Sequence, residues 1–250
     1  QVGCSNRKSF YQPTMGNNVM TIRTFVICGL STFVYPCYND EHAQAEESDP
    51  APEQAPIPIK YPPPSFVGTP LPYQSERLEP LSLKKRKPFL APKGAVNAAL
   101  GKSVTASDMP WLGELSQIVD GKKQHDQTFQ VELPNDPQWI QIDLGAPHDV
   151  HAIVVWHYHS SERVYFDFVV RTALDETLSE EVKTHYNNDH DNSSGLGVGK
   201  DKEYIESFQG RLVDAKGAPA RYVRLSSNGN TVNSHNHYIE VEVWASPVGK

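Results

Sequence analysis

Four histidines stand in two His-x-His pairs, His157-x-His159 and His235-x-His237. Residues two apart on a strand share a face, so each pair could turn both imidazoles toward one ion. Zinc or copper would suit such nitrogen donors, although no cysteine and no carboxylate at a defined spacing accompanies them. A second concentration of donors, Asn187-Asn-Asp-His-Asp-Asn-Ser-Ser-Gly195, offers oxygen instead. Asp189, Asp191 and Ser193 alternate as in a calcium loop. The EF-hand pattern itself fails, because Gly195 falls one place late and Lys200 stands where the bidentate glutamate belongs. Two readings follow for this stretch. One is an irregular calcium loop through Asp189 and Asp191 that draws on Asp201 or Glu203. The other is a solvated turn carrying the glycosylation sequon Asn192-Ser-Ser194.

Other chemistries are excluded more firmly. Gly195-Leu-Gly-Val-Gly-Lys200 resembles a phosphate loop, but Ser194 occupies the place of the first glycine and Asp201 follows the lysine. A dinucleotide fingerprint fails too, since Lys200 replaces its last glycine. Ser193 and Ser194 lack the Gly-x-Ser-x-Gly elbow of a serine hydrolase. The three cysteines, Cys4, Cys28 and Cys37, precede the stretch that carries every other candidate. The enzymatic alternative is a metal-dependent hydrolase working through Asp189, His190 and Asp191. A net charge of −7 argues against nucleic acid, which needs a clustered basic face. The run Lys84-Lys-Arg-Lys87 is read as a solvated charge cluster.

These residues must be positioned by strands. From Gly94 onward, short alternating runs are separated by turn residues, the pattern of an all-β sandwich or barrel. Expected strands are 103–106, 139–144, 150–158, 166–172, 183–187, 203–208, 222–226 and 238–244. In Trp139-Ile-Gln-Ile-Asp-Leu144 the residues Ile140, Ile142 and Leu144 share one face. Val150-His-Ala-Ile-Val-Val-Trp156 is apolar throughout, as in a central strand. Residues 175–182 have weak helical character, and 112–119 could form one short turn.

Six pieces come in order: Asn97-Ala-Ala-Leu-Gly-Lys-Ser-Val-Thr-Ala-Ser107, Ile118-Val-Asp-Gly121, Trp139-Ile-Gln-Ile-Asp-Leu-Gly145, Val150-His-Ala-Ile153, Ala220-Arg-Tyr-Val-Arg-Leu225 and Ile239-Glu-Val-Glu-Val-Trp244. Together they resemble the discoidin family, the coagulation factor V/VIII type C domains, with the related galactose-binding carbohydrate modules. The resemblance implies an eight-stranded jelly-roll β-sandwich that binds ligands through loops at one end and catalyses nothing. It places Ser227–His237, the loop 108–113 and the loop 157–163 at that end. The implied ligand-binding residues are Trp111, His157, Tyr158, His159, Arg163, Asn228, Asn230, His235 and His237. An aromatic face with planar Asn, Arg and His groups suits a sugar. The resemblance also implies a structural calcium ion, Ca2+, held by Asp120 and Glu240. Lys122-Lys123 departs from the family pattern there, and an ammonium could replace the ion and pair with Glu240.

The front of the chain reads differently. Twelve of the 20 prolines fall between Pro50 and Pro92, and proline propagates neither helix nor internal strand. Residues 46–93 are therefore expected to form an extended, disordered, proline-rich linker ahead of a domain at 94–250. Arg23, an apolar run from Thr24 to Tyr38, and Ala43-Gln-Ala45 have the three parts of a secretory signal peptide. On that reading translation starts at Met20 and cleavage follows Ala45, with the run too short to span a membrane. The expected protein is a secreted or envelope-bound module whose partner is a glycan or cell-surface polysaccharide. The alternative is an adhesion or scaffold module whose loops contact protein or lipid.

Overall fold

The computed structural model describes residues 52–64, 73–82, 84–124 and 130–249. The signal peptide and the three cysteines lie outside them. Eleven strands and one 3₁₀ turn make up the described chain. They are β1 (Gln54–Pro56), β2 (Leu90–Pro92), β3 (Val96–Asn97), β4 (Ser103–Ala106), the turn Leu115–Val119, β5 (Val131–Leu133), β6 (Gln138–Trp156), β7 (Val169–Ala173), β8 (Lys183–Asn187), β9 (Arg211–Ser227), β10 (Asn236–Tyr238) and β11 (Glu240–Pro247). The main sheet runs β3-β11-β6-β9-β7-β8, with β4 also on β6; β1 pairs β2, and β5 pairs β10.

The all-β sandwich expected from the alternation is what forms. Two expected strands, 139–144 and 150–158, are halves of the single strand β6, whose register on β9 shifts between Asp143 and His148 and again between Val150 and Ala152. Such irregularities bend a strand and sharpen its twist. The bend lets both halves face one core, since Ile140, Ile142 and Leu144 share a buried cluster with Val150, Ile153 and Val155. Residues 203–208 are not a strand, and 175–182 contain no helix. The cause at the second place is Asp175, whose carboxylate accepts the backbone N–H groups of Thr177, Ser179 and Glu180. A short acidic side chain that captures its own backbone competes with the helix ladder.

Val150–Trp156 is apolar throughout because both of its faces are covered. Ala152, Val154 and Trp156 turn away from the main core into a second cluster with Ile239, Trp244, Ile57 and Ala91. The last two come from the proline-rich stretch. Its described parts therefore do not stand off as a free spacer. The Lys123 ammonium donates to Lys60 O at 3.0 Å, and Arg211 pairs with Glu79 at 2.5 Å. Arg86, within the basic run read as solvated, donates to Gln209 O at 3.1 Å and caps Gly210 O as well. Gly210 has φ +61°, and a Cβ there would lie 2.7 Å from the Trp156 ring, so only glycine lets this turn close over the indole.

Candidate functional site

At one end of the sandwich the short β5–β10 pair sets His237 opposite Glu132. The alternation Gln130-Val-Glu-Leu133 puts Val131 and Leu133 into the core and leaves Glu132 facing outward. Its two carboxylate oxygens meet two rings: His235 Nδ1 lies 2.7 Å from Oε1, and His237 Nε2 lies 3.3 Å from Oε2. The loop 108–113 is tied to the same strand, as Trp111 N–H donates to Glu132 O at 2.8 Å. The Trp111 indole then stands edge-on to His235, with ring centres 5.0 Å apart and planes at 88°. It is 58% exposed, a large aromatic face offered to solvent.

His237 is buried, and its other nitrogen, Nδ1, lies 3.0 Å from the Tyr165 hydroxyl and 3.5 Å from Arg163 Nη1. With both groups donating to Nδ1, the ring proton sits on Nε2 and points at Glu132. Burial, followed by the charges of Arg163 and His235, pushes the His237 pKa down to about 3. The His237–Glu132 contact, at 3.3 Å, is therefore made by a neutral ring and is not an ion pair. Arg163 lies flat over Tyr158 at 4.2 Å, a cation–π stack that holds the guanidinium beside this cluster.

Five of the expected ligand residues thus meet here: Trp111, Tyr158, Arg163, His235 and His237. The other four are placed differently. His157 is fully buried, stacked on Tyr165 at 4.3 Å, with Nδ1 2.6 Å from Glu206 Oε1. His159 is also buried and bonds Lys123 O at 2.9 Å through Nε2. Both lie on the loop that follows β6, as expected, but that loop turns inward, so the rings are buried and His157 packs among Tyr165, Phe168 and Tyr238. Asn230 braces its own loop, accepting from Val232 N–H and donating to His235 O. Asn228 donates to Asp167 Oδ2 at 2.9 Å, on the neighbouring loop.

The residues missed by sequence reasoning are Glu132, Tyr165, Asp167 and Glu206. Glu132 was detectable, since Val131 and Leu133 flank it with strand periodicity. Tyr165, Asp167 and Glu206 meet their partners only across loops distant in sequence.

Two carboxylate groupings could hold a hard cation. Asp167, Asp189 and Asp191 bring ligand oxygens within 4.8 Å of one another. Yet Asp189 accepts from the backbone N–H groups of Ser193 and Ser194, both at 3.0 Å, and from the Ser194 hydroxyl. Asp191 also accepts from Ser193 N–H, at 3.0 Å. These bonds shape the loop itself. The second grouping is Asp120 with Glu240. Gly121 N–H donates to Glu240 Oε2 at 3.0 Å, while Oε1 is buried without a hydrogen-bond partner among the described residues. Burial pushes the Glu240 pKa up to about 9. The lysine pairings differ from expectation, because Lys122 pairs with Asp120 at 3.0 Å and Lys123 pairs with Glu242, neither with Glu240.

The described strands form an all-β sandwich that gathers these side chains at one end. Residues 117–225 match the family model of the F5/8 type C domain, described as a NedA-like, galactose-binding domain, so the resemblance carried by the ordered motifs is shown over that stretch. No curated protein matches the chain. Among solved structures, chitosan-binding module 1 of a chitosanase/glucanase from Paenibacillus sp. IK-5 is similar at 22% identity, covering 60% of this chain and 98% of that one, with TM-score 0.40. A fucose-binding module from Streptococcus pneumoniae matches at 18% identity, covering 61% and 96%, with TM-score 0.41. A family 89 glycoside hydrolase from Clostridium perfringens matches at 18% identity and TM-score 0.47, covering 62% of this chain but only 15% of the hydrolase. No helix among the described residues is long and apolar enough to cross a membrane.

Proposed function

We propose that this chain is a non-catalytic carbohydrate-binding module that takes its sugar at the Trp111 end of the sandwich. The carrying observation is the exposed indole of Trp111, held at right angles to His235 beside Arg163 and the Glu132–His237 pair. An aromatic face accepts the C–H side of a pyranose, and the planar groups around it suit hydroxyl pairs. The family match over residues 117–225 supports the same reading. Both oxygens of Glu132 are taken by imidazoles, so this carboxylate is not presented as the acid or base that glycoside hydrolysis requires. The Met20–Ala45 segment supports export as the setting in which a glycan would be met.

A glycan array probed with the full chain, followed by calorimetry on the best ligand, tests this. Trp111→Ala should weaken binding about 30- to 100-fold, the loss of roughly 2–3 kcal/mol typical of an aromatic anchor. Because the ring is mostly in solvent, the melting temperature should stay within about 2 °C of the parent. No retained sugar on the array, or full affinity in Trp111→Ala, would remove the reading. Anionic and neutral vesicles form a second arm, since Met109 beside Trp111 is 80% exposed and would suit an apolar surface.

A structural calcium ion fits the Asp120–Glu240 grouping, where Glu240 Oε1 is buried without a hydrogen-bond partner among the described residues. Asp120 and Glu240 would hold it and so fasten the end of the 3₁₀ turn to β11, with the Lys122 ammonium released from Asp120. Millimolar calcium should raise the melting temperature by several degrees, reversibly with chelator, by mass action on the folded state. Glu240→Gln should flatten that response, and an unchanged melt in wild type would exclude the ion.

A further inference from the structure

We infer that Glu132, His235 and His237 form a binding site for a borderline transition-metal ion, best suited to zinc. One ring nitrogen each of His235 and His237 and one Glu132 oxygen all lie within 4.8 Å of one another. Zinc–ligand distances of about 2.0–2.2 Å at tetrahedral angles place neighbouring ligand atoms roughly 3.3 Å apart. Each ring faces its own carboxylate oxygen: His237 stands 3.3 Å from Oε2, already at that edge, and His235 stands 2.7 Å from Oε1, short of it. An ion can therefore enter with a small outward movement of His235 and no rebuilding of β5 or β10.

The donor set selects the metal class. Two imidazole nitrogens with one carboxylate oxygen suit zinc, copper or nickel, whereas calcium and magnesium ask for oxygen alone. The support around the ligands is equally specific. With Nε2 on the metal the ring proton would move to Nδ1, where the Tyr165 hydroxyl, 3.0 Å away, would turn to accept a hydrogen bond from it while Arg163 gave up its longer 3.5 Å contact. The Glu132 backbone is fixed from both sides, by pairing with His237 and by its bridge to Leu112. His235 is partly exposed beside the exposed Trp111, which leaves an entry path and room for a water or a ligand oxygen as fourth partner.

The site arises from the pairing of two short strands distant in sequence, so it differs from the His157/His159 and His235/His237 combination that spacing alone suggests. It does not depend on the glycan reading, because metal affinity is measured without sugar.

The test titrates zinc chloride into the full chain by calorimetry, with cobalt chloride as a spectroscopic stand-in whose visible absorption reports nitrogen and oxygen ligation. Expected is one zinc per chain at micromolar or tighter affinity, with the cobalt spectrum of a four- or five-coordinate site. Glu132→Gln and His235→Ala should each weaken zinc at least 30-fold while leaving the melting curve without metal within a few degrees of wild type. Trp111→Ala should leave zinc affinity unchanged although it weakens sugar, which separates failure of this site from failure of the glycan reading. Absence of zinc binding, or binding of equal strength in Glu132→Gln and His235→Ala, would overturn the proposal, since the ion would then reside on other histidines.

Discussion

A fragment beginning at Gly94 should be less stable than the full chain by about 5 kcal/mol, a large part of the 5–15 kcal/mol that holds an ordinary domain together. The expectation rests on the second cluster, where Ile57 and Ala91 are buried with Ile59, Tyr61 and Phe89 packed against them. They cover Val154, Trp156 and Trp244 on the outer face of the sheet. Burying each large apolar side chain contributes about 1.5–3 kcal/mol, and removal of the cover returns both sides of the contact to water. The entropy of ordering the covering segment offsets part of that gain. Polar losses add to it, because the Lys60 carbonyl no longer receives the buried Lys123 ammonium and Arg86 no longer caps Gln209 and Gly210. Urea unfolding of the two chains is the measurement. A difference below about 1 kcal/mol would show that the proline-rich stretch is a tether after all.

Glu206→Ala should cost about 3 kcal/mol although Glu206 touches no candidate ligand surface. The side chains of Glu206 and His157 are both fully buried, 2.6 Å apart, with His157 enclosed by Tyr165, Phe168 and Tyr238. Breaking one half of a buried polar pair leaves the other half desolvated and unbonded, a cost of about 3–5 kcal/mol for charged pairs and about 1–3 for neutral ones. Replacing both partners at once should recover much of the loss, so the double variant His157→Phe, Glu206→Leu should be more stable than Glu206→Ala alone. Sugar binding by that double variant should persist, because its side chains sit beneath the loop end and not on it. Loss of binding with the fold intact would return His157 to the ligand surface. A cost under 1 kcal/mol for Glu206→Ala would show that the pair is already hydrated.

The sequence by itself determined the all-β class, because period-2 alternation is local and each strand carries its own record of which face is buried. It also determined the family resemblance and the loops in question, and it singled out Trp111, Arg163, His235 and His237. Other features depended on long-range encounter. Val150–Trp156 shows continuous apolarity, which says that both faces are covered without saying by what; the structure supplies Ile57 and Ala91 from a stretch whose prolines suggested a free spacer. Four histidines at matching spacings looked equivalent, yet His157 and His159 point inward while His235 and His237 meet Glu132. Spacing fixes which side chains share a strand face. Which partner occupies the space opposite is decided only when β5 and β10, about a hundred residues apart, close against each other.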